Sequence, residues 1–223
     1  MSARPLQEKP SRGHKKRART YDQLIAAGVQ VFAERGEALT ISDVVAKANV
    51  SNGTFYNYFD DRDELIDALS EHSLASLAGE AALQTAEADP ALRFAFATLR
   101  VLTRATEDPT WGHAILRLTD HRRSFTREVN RYLREDLASG FERGRFEFGP
   151  DAITLDAITG LITMTIRRML RGDAGPGDVE PVVERTLTML GISKHEATTL
   201  VADAVVERDR CPGPLGLAAD GRS

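Results

Sequence analysis

Apolar residues along this chain recur at intervals of three and four, and no strand-length segment stands out in which they recur every second residue. That spacing puts them on one face of a 3.6-residue helix and restricts the chain to an all-α fold. Tyr21, Leu24, Ile25, Gly28, Val31 and Phe32 form the first stripe, and Gly36 stands where a C-terminal glycine would end it. Ile41, Val44, Val45 and Ala48 form a shorter second stripe with Thr40 as its N-cap. Ser51 caps a third short helix running to about Tyr58, and Asp60 or Asp61 opens a fourth through Leu65, Ile66 and Leu69 to about Leu77.

Longer helices are expected after Asp89 and Pro90. One carries Leu92, Phe96, Leu99 and Leu102; the next, after Asp108 and Pro109, carries Trp111, Ala114, Ile115, Leu118 and Phe125. Val129, Leu133, Leu137 and Phe141 continue a further one. Residues 151–170 are apolar over much of the helical circumference, as expected of a helix packed on several sides. A valine and leucine seam runs from Val179 to Leu190, and a last helix begins near Ser193. The chain thus divides into an N-terminal arm (1–16), a set of short helices (17–70), a larger bundle (71–208) and a Pro- and Gly-rich tail (209–223) expected to be disordered.

Composition sets the class of protein. With 42% hydrophobic and 28% charged residues the chain is an ordinary soluble globular one. No run approaches the roughly 18 apolar residues of a membrane span, and the N-terminus has no apolar segment of the kind that directs secretion. The single Cys211 supplies neither an internal disulfide nor a structural zinc site, so a cytoplasmic protein without metal or cofactor is expected. The net charge of −4 argues against a nucleic-acid partner, but its distribution does not. Residues 1–20 hold seven basic side chains against Glu8, a basic arm on an acidic body. Such an arm either meets an anionic partner at one end or is a solvated tail.

Two short helices joined through Ala48, Asn49, Val50 and Ser51 and preceded by a longer one describe a helix-turn-helix. The tight turn calls for a positive φ, which asparagine tolerates better than most residues. Phe55 and Phe59 are spaced to face the core, leaving Asn52, Thr54, Tyr56, Asn57 and Tyr58 to point outward in varying degree. Gly53 keeps the first turn slim, so that backbone can approach a groove. Amide, hydroxyl and phenol groups so displayed suit base edges and phosphates.

Residues 40–66 resemble the DNA-binding signature of the TetR (tetracycline-repressor-like) family of bacterial regulators. The resemblance is carried by Val50-Ser51-x-Gly53-Thr54-Phe55-Tyr56-x-Tyr58-Phe59 and by Asp61-Arg62-x-Glu64-Leu65. It implies a three-helix DNA-binding domain, then a bundle for ligand binding and dimerisation. It implies that Thr40 and Ser42 meet a phosphate and the groove edge, that Asn52, Gly53 and Asn57 lie against bases, and that Thr54, Tyr56, Tyr58 and Arg62 hold phosphates, with Ser51 among the DNA-binding set. Asn49 stands where the family usually has Gly, and Arg62 replaces the more usual Lys, adding a fork that grips phosphate through two N–H groups. Residues 21–70 hold three basic and nine acidic side chains, which shifts attraction for DNA onto the arm, Arg62 and Lys47.

The expected function is a sequence-specific regulator of transcription, a repressor released from its operator by a small hydrophobic ligand; the release step is implied by the resemblance alone. Two other readings stand beside it. A helical interaction scaffold accounts for the seams but not for residues 51–62. A metal-dependent enzyme would use His113 and His121, eight residues apart on one helix, but no third ligand stands at supporting spacing.

One recognition helix reads only a few base pairs, so a homodimer on palindromic double-stranded DNA is expected. The resemblance places its interface on two late helices, with Ile158 and Ile162 on one and Val179, Val183, Leu187 and Leu190 on the other. The small-molecule inducer would sit between bundle helices, against Phe96, Leu99, Trp111, Ile115, Leu118, Phe125 and Met164, oriented by Arg100, His121 and Arg167, with Thr103 and Thr163 among the polar groups nearby.

Overall fold

The computed structural model describes residues 12–81, 89–121 and 123–210. Among them ten α-helices and two short 3-10 turns alternate with brief connections. They are α1 (Arg12–Arg35), α2 (Ile41–Ala48), α3 (Asn52–Phe55), α4 (Arg62–Ala81), α5 (Pro90–Glu107), α6 (Pro109–His121), α7 (Arg123–Glu142), α8 (Ala152–Arg171), α9 (Val179–Met189) and α10 (Lys194–Arg210). The 3-10 turns are Gly36–Ala38 and Pro176–Asp178.

Helices α1 to α4 enclose a small core. Leu24, Ile25 and Phe32 of α1 meet Val44 and Val45 of α2, Phe55 of α3, and Leu65, Ile66 and Leu69 of α4, all buried. Gly28 on α1 lets the Leu69 side chain close in: a Cβ there would lie 3.0 Å from a Leu69 methyl. Helix α1 also packs along α6, so the N-terminal unit is seated on the larger bundle.

At the centre of that bundle is α5, which touches α4 and every helix from α6 to α10. Phe94, Ala95, Phe96, Leu99, Leu102 and Ala105 of α5 are buried, and so are its polar Thr98, Arg100 and Arg104. Asp89 caps α5 by accepting from the Ala91 amide, with Pro90 at the first helical position. Arg145, beyond α7, grips the same carboxylate through Nε at 2.8 Å and Nη2 at 2.6 Å, and its Nη2 also reaches Glu196 of α10 at 2.9 Å. One guanidinium thus ties the start of α5 to the start of α10.

Phe125 lies in α7, separated from α6 by residue 122, which is outside the described residues. One expectation is corrected. Residues 151–170 are apolar over much of the helical circumference, but the helix is not packed on several sides as expected. Of α8 only Leu155, Ile158, Thr165 and Ile166 are buried, whereas Ile153 is 81% and Met164 50% exposed. The stretch expected to be a disordered tail lies outside the described residues from position 211 onward, and α10 extends to Arg210.

Candidate nucleic-acid interface

The turn between α2 and α3 depends on one backbone conformation. Asn49 sits at φ 54 and ψ 47, the only positive φ at a non-glycine among the described residues, and closes α2 with its amide donating to Ala46 O. The chain then reverses within two residues. The Ser51 side chain accepts from the Thr54 amide at 3.1 Å and lies 2.9 Å from the Thr54 hydroxyl, capping α3. Helix α3 is a single turn, extended by the turn at Tyr56, Asn57 and Tyr58, where the Tyr58 amide donates to Phe55 O. The expected helix to Tyr58 is therefore shorter, because those residues follow turn geometry.

The start of α2 is equally fixed. Thr40 and Asp43 form a reciprocal capping box: the Asp43 amide donates to the Thr40 hydroxyl at 3.2 Å and the Thr40 amide to Asp43 Oδ2 at 3.3 Å. The Thr40 hydroxyl bond and the other contacts of this box hold the Asp43 carboxyl below its ordinary pKa. Arg35 of α1 reaches the same oxygen at 2.8 Å.

Phe55 and Phe59 are buried with ring centroids 5.4 Å apart, which fixes how α3 is turned. Thr40, Ser42, Lys47, Asn52, Gly53, Tyr56 and Asn57 are exposed, with Tyr56 at 56%. Gly53 has no internal reason to be glycine. A Cβ there would meet only the Ser51 hydroxyl, at 3.8 Å, and its φ is not positive. The bare backbone is exposed between Asn52 and Thr54.

Four of the expected phosphate contacts are otherwise engaged in this structure: the Thr40 hydroxyl on Asp43, the Thr54 hydroxyl on Ser51, and the polar ends of Tyr58 and Arg62. The Tyr58 hydroxyl donates to Arg17 O at 3.2 Å, and the Arg17 guanidinium lies 5.6 Å from the Tyr58 ring. Arg62 donates to Glu37 O at 2.6 Å and pairs with Glu37 and Asp63. Both side chains hold the helices of the unit together, which a fork-shaped donor and a long phenol do well. Arg17, counted in the sequence among the seven cations of the N-terminal arm, lies on α1 with exposed Lys16 and Arg19; α1 begins at Arg12, inside the arm expected to be flexible to residue 16, so these cations ride on a helix.

In the bundle, Phe96, Leu99, Arg100, Trp111, Ile115 and Leu118 are all buried along α5 and α6. Arg104, one turn beyond Arg100, places its guanidinium 4.6 Å from the Trp111 ring, a contact that sequence reasoning missed because spacing along α5 does not fix what α6 brings against it. Trp111, 4% exposed, has an indole N–H with no acceptor among the described residues. Two other expected pocket residues are not inside: Met164 is half exposed, and Arg167 pairs with Asp120 at 3.0 Å across the outside of α6 and α8. The side chains of His121 and Phe125 lie outside the described residues, and His113 is exposed. A cleft of about 200 Å³ lies elsewhere, between the end of α5 and the end of α8, lined by Thr106, Pro109, Met169 and Leu170 among others.

The expected interface side chains Ile158, Val179, Val183, Leu187 and Leu190 are also corrected: all are buried within this chain's own core, and only Ile162 is partly exposed. The seam of α9 packs on α5, α8 and α10, which removes it from any surface.

No helix among the described residues is long and apolar enough to cross a membrane. Residues 24–69 match the family described as bacterial regulatory proteins, tetR family, and residues 89–203 match the tetracyclin repressor-like C-terminal domain. The chain is 29% identical over 179 residues to the HTH-type transcriptional regulator BetI of Burkholderia thailandensis, covering 73% of this chain and 87% of that one. It is 40% identical over 55 residues to the HTH-type regulator YvdT of Bacillus subtilis, a match that spans only 28% of that protein. Among solved structures it is similar to RolR in complex with resorcinol, at 26% identity and a TM-score of 0.59, covering 85% of this chain and 96% of that one. It shares its fold with tylp of Streptomyces fradiae at a TM-score of 0.65 and 20% identity, covering 87% and 99% of the two chains. With its two halves matched separately, the C-terminal match alone spanning more than half of the sequence, the chain belongs to the tetR family of bacterial regulatory proteins.

Proposed function

We propose that the protein is a repressor of transcription that binds a palindromic operator as a homodimer and leaves it when a small hydrophobic molecule enters the bundle. The observation that carries the DNA-binding reading is the outward face of α3: two buried phenylalanines hold the turn in place while Asn52, Gly53, Tyr56 and Asn57 stand exposed. Exposed amides beside a bare backbone suit base edges in a major groove.

The dimer reading is supported by α8. Its outward face carries Ile153, Ala157, Gly160 and Met164, an apolar stripe with small residues at its middle that lets a second helix approach closely. The effector reading is supported by Trp111, buried in the same core as Phe96, Leu99 and Ile115, whose ring faces and unmet indole N–H suit a planar molecule bearing oxygen. RolR, similar in fold and sequence, was crystallised with resorcinol, a molecule of that kind.

The test is selection of duplexes from a random library by the full-length protein, followed by gel shift. Tyr56→Phe is expected to weaken binding by about 1–2 kcal/mol evenly across sequences. Asn52→Ala and Asn57→Ala are expected to change which bases are preferred. If both variants select the wild-type site with wild-type affinity, α3 is not the recognition element.

A further inference from the structure

The corner between α1 and α2 is held by arginines from three different helices. Arg35 of α1 reaches Asp43 at 2.8 Å, and Arg62 of α4 donates to Glu37 O at 2.6 Å. Arg117 of α6 donates through Nε to Ala33 O at 3.0 Å and through Nη2 to Glu34 O at 3.2 Å. Of the three, only Arg117 lies outside residues 24–69, which match the DNA-binding half of the family.

The end of a helix leaves its last carbonyls without intrahelical donors and carries partial negative charge. A planar guanidinium offers two parallel N–H groups to successive carbonyls and a positive charge besides, which an ammonium cannot match in geometry. The residue that ends α1 is shaped around this contact. Gly36 has φ +58, and a Cβ there would lie 2.6 Å from Arg117 Nη1. Glycine is therefore favoured for the left-handed backbone, and its missing Cβ leaves room for the guanidinium in the pose it takes here.

From this grip only the 3-10 turn and Leu39 separate α1 from the Thr40 cap of α2. Leu39 is buried, and its amide donates to Gly36 O at 3.0 Å. The path from Gly36 to the capping box has no slack. On the other side of the contact, α6 packs Trp111, Ile115 and Leu118 into the core it shares with α5.

We infer that Arg117 is a positioning residue for the DNA-facing unit, acting from the C-terminal half: it supplies the C-terminal cap of α1, sets the α1–α2 corner, and makes the pose of α2 and α3 follow the position of α6. The consequence for DNA rests on the reading of α3 as the recognition element; the clasp itself does not.

The experiment compares full-length wild type with Arg117→Gln and Arg117→Lys by hydrogen–deuterium exchange and by affinity for a duplex that the wild type selects from a random library. In Arg117→Gln, amide exchange across residues 36–49 is expected to rise at least about tenfold, the loss of two charge-assisted hydrogen bonds in a partly exposed setting, while α9 and α10 exchange as before. Affinity for the duplex is expected to fall by a similar factor. Arg117→Lys, which reaches one carbonyl with a point charge, is expected to recover part of both. Unchanged exchange over 36–49 would overturn the inference, and so would an equal rise throughout the chain, which marks a residue that stabilises the whole fold. If the wild type selects no duplex, the DNA-binding reading fails, and the exchange data still decide whether the clasp exists.

Discussion

At the scale of single residues, the turn at Asn49 illustrates how a local constraint surfaces in the sequence. An asparagine between two apolar helical stripes, where a chain must redirect at once, predicts a left-handed backbone, and φ 54 is what the structure shows. Asn49→Gly is expected to leave stability unchanged or slightly raised, because glycine adopts this conformation without strain. Asn49→Val is expected to cost about 1–2 kcal/mol, since a β-branched side chain meets the left-handed penalty in full. Urea denaturation at neutral pH measures both. Other residues were not legible in this way. Tyr58 and Arg62 have the chemistry of phosphate contacts and occupy the family's positions, but their polar ends turn to Arg17 and Glu37. Which of two neighbouring acceptors a long side chain takes depends on tertiary distances that no spacing rule encodes.

At the scale of elements, α5 shows how ion pairs and caps govern response to acid. The Arg145 hydrogen bonds to Asp89, which outweigh the opposing effect of burial, hold that carboxyl below its ordinary 3.8. The folded chain therefore releases this proton more readily than the unfolded one. The resulting stability is present above pH 3.8 and is lost as pH falls through the lower folded value. His72 on α4 adds a second window. Desolvation first, then the Arg104 charge, lower its pKa from 6.5, so below that pH the unfolded chain takes up a proton that the folded one resists, and stability declines. Asp89→Asn is expected to lower stability at pH 7 by about 1–2 kcal/mol after solvent screening and to weaken the dependence below pH 4. His72→Gln is expected to flatten the slope just below pH 6.5 without changing the acid limb; urea midpoints across that range report both. The helices were mostly visible as stripes, but the length of α3 was not. Phe59 follows Phe55 by four residues, one helical turn, so the pattern runs on past Phe55, where α3 gives way to a turn without a signal.

For the whole molecule, a chain that reads as apolar over much of one helix can hide that surface in its own core or under a second copy, and periodicity does not distinguish them. Helix α5, with its arginines, reads as amphipathic and is buried nearly all round, whereas α8 reads as buried and leaves Ile153 and Met164 in the open. Covering that stripe with its symmetry mate is the simplest use of it. Gly160→Glu, at a position where a Cβ meets nothing within 4 Å, is expected to leave the protomer folded and to halve the particle mass seen by light scattering at micromolar concentration. Ile158→Glu, by contrast, places a charge at a fully buried position and is expected to unfold the protomer. A wild type that is monomeric under those conditions removes the proposed dimer.

The seating of α1 along α6 bears on how such regulators can be rebuilt. Sensors are assembled by fusing the reading head of one regulator to the receiver of another, on the assumption that the cut falls between independent modules. In this protein the cut at about residue 70 would leave α1 bonded through its last carbonyls to a receiver it no longer owns. A hybrid that keeps residues 12–81 and replaces the remainder would need an arginine donated at the site of Arg117, opposite a glycine at 36, to inherit both the posture of the head and its obedience to the receiver. The boundary that matters for exchange is the matched surface between α1 and α6, and parts for such hybrids are better sorted by that surface than by the point where the chain passes from one half to the other.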